Sequence, residues 1–66
     1  MYKYYLRILF GSSYSETTVI ADDVDFDADY IFFNDYEGNV IATYPPNCTI
    51  ITKIEQIEYD EDLETE

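Results

Sequence analysis

Histidine and tryptophan are absent from this chain, cysteine occurs once, and only Lys3, Arg7 and Lys53 carry positive charge. Without histidine the chain lacks the commonest general base and the commonest metal ligand. The lone Cys48 has no partner for an internal disulfide, which points to a reducing, intracellular setting. No histidine or cationic run lies beside it to lower its thiol pKa, so its expected role is that of a small buried hydrophobe. No apolar run approaches the roughly 20 residues a membrane span needs. Nor does a basic stretch followed by an apolar run open the chain, so a cytoplasmic protein is expected. Three cations cannot build a patch that grips a polyanion. Direct binding to nucleic acid or to an anionic membrane is therefore not expected.

Acid is abundant. The 66 residues include 15 Asp and Glu, giving a net charge of -12 and a pI near 4.1. A chain of this length makes one domain. Its hydrophobic content of 47% is enough to build a core, so the chain is expected to fold despite the charge. Self-repulsion of this size opposes compaction. Its compensation is solubility or attraction to a positively charged partner.

Strand patterning dominates the chain. From Tyr2 to Phe10, Tyr2, Tyr4, Leu6, Ile8 and Phe10 fall on one face, and Lys3, Tyr5, Arg7 and Leu9 on the other. Gly11-Ser12-Ser13 reads as a turn. A second strand is expected from about Glu16 to Phe26, with a bulge near Asp22-Asp23, where the parity of the apolar positions changes. A turn within Asp27-Ala28-Asp29 is a further option. Tyr30 to Asn34 is expected as the third strand. Asp35 to Asn39 carries hairpin chemistry, with Gly38 available for a positive φ. Val40 to Tyr44 returns as the fourth, and Pro45-Pro46 ends it. Thr49 to about Ile57 is the last element. Its β-branched residues favour strand, although Ile50, Ile51, Ile54 and Ile57 also fit a helical face. The acidic residues from 59 to 66 read as a flexible tail beyond a domain of residues 1 to 58. The expected fold is all-β: one strongly bent antiparallel sheet, or a small SH3-like or Sm-like barrel, of about five strands.

Two groups of residues are candidates for contact with partners. The first is acidic. Asp23, Asp25, Asp27 and Asp29 alternate with apolar residues, flanked by Asp22, Asp35 and Glu37. On an extended strand, positions i and i+2 lie about 6.6 Å apart, close to the spacing of successive phosphates along a nucleic-acid strand. Such a row can be read by a basic nucleic-acid-binding protein, with Tyr36 stacking where a base or sugar sits. The plain alternative is a solvated strand face that limits aggregation. A calcium loop fits poorly. Counting from Asp23, the sixth position is Ala28 and the twelfth Asn34, where glycine and a bidentate glutamate are needed. No carboxylate pair stands out as catalytic, and neither enzyme activity nor a cofactor is expected. The second group is apolar. Tyr5, Leu9, Ile31 and Phe33 are expected to face outward on strands that are apolar on both sides. They are the candidate surface for a homodimer or for docking on a larger protein.

The segment from Ala21 to Ile57 contains Ala21-Asp22-Asp23-Val24, then Tyr30 to Asn34 as YIFFN, then Gly38 to Ala42 as GNVIA, and an isoleucine-rich end. It resembles small β-rich proteins of bacteriophages and mobile elements over about half the chain. In size and acidity the chain is similar in general character to phage-encoded inhibitors of host defence. Those include anti-CRISPR and anti-restriction proteins, several of which act as DNA mimics. That likeness implies a non-enzymatic inhibitor acting in the host cytoplasm, and it assigns no role to any residue. The expected alternative is a small structural or assembly module.

Overall fold

A computed structural model describes residues 1–57; the acidic tail lies outside the described residues. Six strands form in order: β1 (Tyr2–Phe10), β2 (Ser13–Ala21), β3 (Asp23–Phe26), β4 (Ile31–Asn34), β5 (Val40–Tyr44) and β6 (Thr49–Gln56). They assemble into two antiparallel three-stranded sheets, ordered β2-β1-β6 and β3-β4-β5. The expectation of an all-β domain holds at this level. The single sheet or closed barrel of about five strands does not: the described residues build two separate three-stranded sheets and no closed barrel. The last apolar segment is a strand.

The first sheet follows directly from the β1 pattern. Gly11, at φ +60, closes a tight turn with Ser12, and β1 and β2 then pair without interruption from Phe10↔Ser13 to Tyr2↔Ala21. On its other side β1 pairs with β6, and the register shifts between Tyr5 and Leu6, leaving Thr52 as the extra residue of a bulge. The Thr52 hydroxyl donates to the Tyr5 carbonyl across that bulge at 3.2 Å.

The parity change at Asp22 has a larger consequence than a bulge within one strand. Here the chain leaves the edge of the first sheet and enters the second. The Asp22 amide donates to the Asn34 carbonyl at 2.9 Å, so the corner is anchored by β4. Strands that switch sheets at a bend are how small two-sheet folds turn corners. The residues from Asp27 to Tyr30 then form the β3–β4 turn, closed by the Asp27 amide on the Tyr30 carbonyl at 2.9 Å.

The core lies between the sheets. Tyr4, Leu6 and Ala21 of the first sheet pack with Ile31 and Phe33 of the second, supported by Val19, Val24, Ala42, Tyr44 and Ile51. The Phe33 ring meets Tyr4 at 5.1 Å and Tyr44 at 5.9 Å, both edge-on. Such pairs add about 0.5–1.5 kcal/mol each beyond area burial. Burial pushes the Tyr4 phenol pKa up, and the nearby charges of Asp23, Tyr2 and Asp22 add to the shift.

This placement corrects the expected association surface. Ile31 and Phe33 are buried at 3% and 0% exposure, so they hold the sheets together and present nothing outward. The β4 side chains on the outer face are Phe32, half-buried, and Asn34, with exposed Tyr30 just before the strand. Tyr5 and Leu9 do lie on the outer face of the first sheet, as the β1 alternation requires.

Candidate functional site

Local chemistry shapes the outer face of the second sheet. Asp23 and Asp25 are two residues apart on β3 and project to the same side. Register sets Asp23 opposite Asn34 and Asp25 opposite Phe32. The Asn34 side-chain amide donates to Asp25 Oδ2 at 2.9 Å. That bond satisfies a side chain only 8% exposed and fixes the Asp25 carboxylate. Asp23 Oδ1 accepts from the Val24 amide at 2.8 Å. At the corner, Asp22 Oδ1 lies 3.4 Å from the Met1 ammonium.

The β4–β5 hairpin forms the other wall. Asp35 is its organiser: Oδ1 accepts from the amides of Glu37 at 2.9 Å and Asn39 at 2.8 Å. The Asn39 amide, with help from the Asn39 side chain and the Glu37 and Gly38 amides, holds the Asp35 carboxyl below its ordinary pKa. Gly38 completes the turn at φ +88. Tyr36 is carried at the tip with 82% of its surface exposed.

Together these elements enclose an open concavity of about 780 Å³. Asp22, Asp23, Asp25 and Asp35 supply four carboxylates; Phe32, Asn34 and Val40 supply much of the remaining lining, with Tyr36 and Gly38 from the hairpin. No lysine or arginine is among its lining residues. Five of the eight expected contact residues thus converge: Asp22, Asp23, Asp25, Asp35 and Tyr36. Asp27, Asp29 and Glu37 do not line it. β3 ends at Phe26, so the aspartate row is broken: Asp27 and Asp29 lie in the turn, where the Asp29 amide reaches Asp27 Oδ2 at 3.4 Å. Asn34 was not among the expected residues. A polar side chain ending an otherwise apolar strand, opposite an aspartate strand, was its only sequence signal.

The three cations gather elsewhere. Lys3, Arg7 and Lys53 all lie on the outer face of the first sheet. The two lysine ammoniums stand 5.2 and 5.3 Å from the Tyr5 ring centre, and Arg7 stacks 4.5 Å from the centre of Tyr14. Arg7 also pairs with Glu16 at 3.0 Å, and the Tyr5 hydroxyl donates to Glu55 at 2.8 Å. The acidic concavity is therefore not neutralised by the chain's own lysines or arginine. Among the described residues, no group of three or more His, Cys, Asp or Glu side chains is arranged to hold a metal ion. No helix of the described residues is long and apolar enough to cross a membrane. No protein family, curated protein or solved structure matches the chain.

Proposed function

We propose that this chain is a non-enzymatic acidic protein that binds a basic, nucleic-acid-binding protein through the concavity on its second sheet. The supporting observation is the convergence of Asp22, Asp23, Asp25 and Asp35 around one open surface with no cationic side chain in it, the Met1 ammonium beside Asp22 being the one positive group close by among the described residues. Asp23 and Asp25 stand in for neighbouring phosphates, about 6.6 Å apart along the strand. Asp25 is held by Asn34, and Asp35 by its own turn, so two of the four carboxylates are oriented before a partner arrives. Preorganisation of this kind lowers the cost of binding. Tyr36 offers a ring for stacking beside them. The overall charge of -12 speeds the encounter by long-range attraction. The narrower reading, an inhibitor of a host defence system acting as a DNA mimic, rests on general likeness to phage-encoded inhibitors. Capture from a host lysate tests the broad reading. Basic nucleic-acid-binding proteins should be retained at about 0.1 M salt and released at about 1 M, as the Debye length shrinks from about 10 Å to about 3 Å. Retention that is indifferent to salt would contradict it.

The second reading, an assembly module, draws on a different observation. Tyr14, Ile20, Leu9 and Ile50 are 56%, 49%, 38% and 47% exposed, all on the outer side of the first sheet. Leu9 pairs directly with Tyr14, and this contiguous part of the exposed apolar surface is what supports docking.

A further inference from the structure

Four strands leave an edge unpaired among the described residues: β2 and β6 of the first sheet, β3 and β5 of the second. Unpaired edges template pairing with another chain, and proteins blunt them with charge, proline, bulges or shortness. Three of the four edges are blunted. β3 has four residues, two of them aspartate. β5 is bulged at Ile41, between the partners of Phe33 and Asn34, and Pro45-Pro46 follows its last residue. β6 is bulged at Thr52 and bears Lys53 and Glu55. The β2 edge has none of these devices. It runs nine residues, SYSETTVIA, with unbroken register, no proline and one charge, Glu16, which Arg7 neutralises at 3.0 Å.

We propose that β2 is the seam of a twofold homodimer, in which it pairs antiparallel with β2 of a second copy to make a continuous six-stranded sheet. The strand is complementary to itself when turned end for end about Thr17. Tyr14 then lies opposite Ile20 of the other copy, and the reverse pair recurs across the axis. Both side chains are half exposed on the outer face, and aromatic–β-branched pairs of this kind stabilise sheets. Thr17 meets its own copy, and Glu16 lies opposite Thr18, so no charge is set directly against its like. An isologous interface requires this reciprocity. Charge opposes association in general but favours one place for it. Two chains of -12 repel almost everywhere, but the first sheet holds all three cations. It is where a second copy can approach at least cost. The acidic concavity, on the other sheet, stays free for a different partner.

Cross-linking tests the register directly. In a Cys48→Ser background, Thr17→Cys should form a disulfide-linked dimer under mild oxidation. The paired Cα atoms would be about 4.5–5.5 Å apart, within disulfide range. Tyr14→Cys in the same background should not link, because its two copies lie six residues apart along the strand. Sedimentation of the unaltered protein should show a monomer–dimer equilibrium. Ile20→Lys should weaken it about tenfold or more, although the substitution lowers net repulsion. Circular dichroism confirms that each variant folds. A strict monomer at about 1 mM overturns the proposal. So does equal cross-linking at both positions, or tighter association of Ile20→Lys.

Discussion

Replacing Phe33 with alanine removes a ring with 0% exposure that meets Tyr4 at 5.1 Å and Tyr44 at 5.9 Å. It joins the two sheets, so the cavity left behind opens at the centre of the core. Buried Phe→Ala changes cost about 3–5 kcal/mol. A core in a domain this small rarely supplies more than about 3–5 kcal/mol in total, and self-repulsion at -12 subtracts from it. Phe33→Ala should therefore be largely unfolded at 25 °C in dilute buffer. Phe33→Leu keeps most of the volume and loses the two edge-on aromatic contacts, at about 1–3 kcal/mol, and should remain folded. Phe32, one residue earlier, faces the open concavity; Phe32→Ala should cost about 1 kcal/mol or less. Far-UV circular dichroism with urea titration ranks the three. The contrast between neighbours reports on register, because a slip of one residue exchanges the two faces of β4. If Phe32→Ala proves the more damaging, the placement of the core is wrong.

Two further predictions concern the β4–β5 hairpin. Gly38 sits at φ +88 with open space where a Cβ would go, so Gly38→Ala meets no clash and should cost only the backbone strain, about 1–2 kcal/mol, read as a lowered Tm. Asp35 is held below its ordinary value of 3.8 by the Asn39 amide first. With the folded pKa depressed, its stabilisation is present above the unfolded value and lost as pH falls through the lower folded one. An NMR titration should find Asp35 titrating below 3.8, and Asp35→Asn should flatten the acid limb of the stability profile below about pH 4. An Asp35 that titrates at or above its ordinary value would remove it as the organiser of the turn.

Some of this fold was legible in the residues. The two faces of β1 follow from alternation alone, which also puts Lys3 and Arg7 outside once Tyr4 and Leu6 are inside. Gly38 marked the hairpin, and Pro45-Pro46 the end of β5. The corner at Asp22 was visible as a parity change, but a bulge and a change of sheet leave the same local trace. Only the distant Asn34 carbonyl distinguishes them. The faces of β4 were ambiguous because Tyr30 to Phe33 is apolar at every position. Counting the turn from Asp27 to Tyr30 would have resolved it. That turn pairs Phe26 with Ile31 and Asp25 with Phe32, so Phe32 shares the side of the acids. The same turn breaks the four-aspartate row into a pair on the sheet and a pair in the loop. The acidic site was half legible for that reason. Its strand members were set by alternation, while Asp35 and Tyr36 joined them through a hairpin whose reach no local pattern encodes.

The proposed binding depends on where the carboxylates stand and not on total charge, and a matched pair of variants separates the two. Asp23→Lys with Asp25→Asn alters the concavity; the asparagine keeps an oxygen for the Asn34 amide. Asp29→Lys with Asp27→Asn alters the turn outside it. Each pair adds two charges by reversal and one by neutralisation, taking the net charge from -12 to -9. Affinity for a basic partner captured from lysate should fall about a hundredfold or more with the first pair and change little with the second. Equal losses from both would show that bulk acidity alone does the binding, and the concavity would have no special part in it.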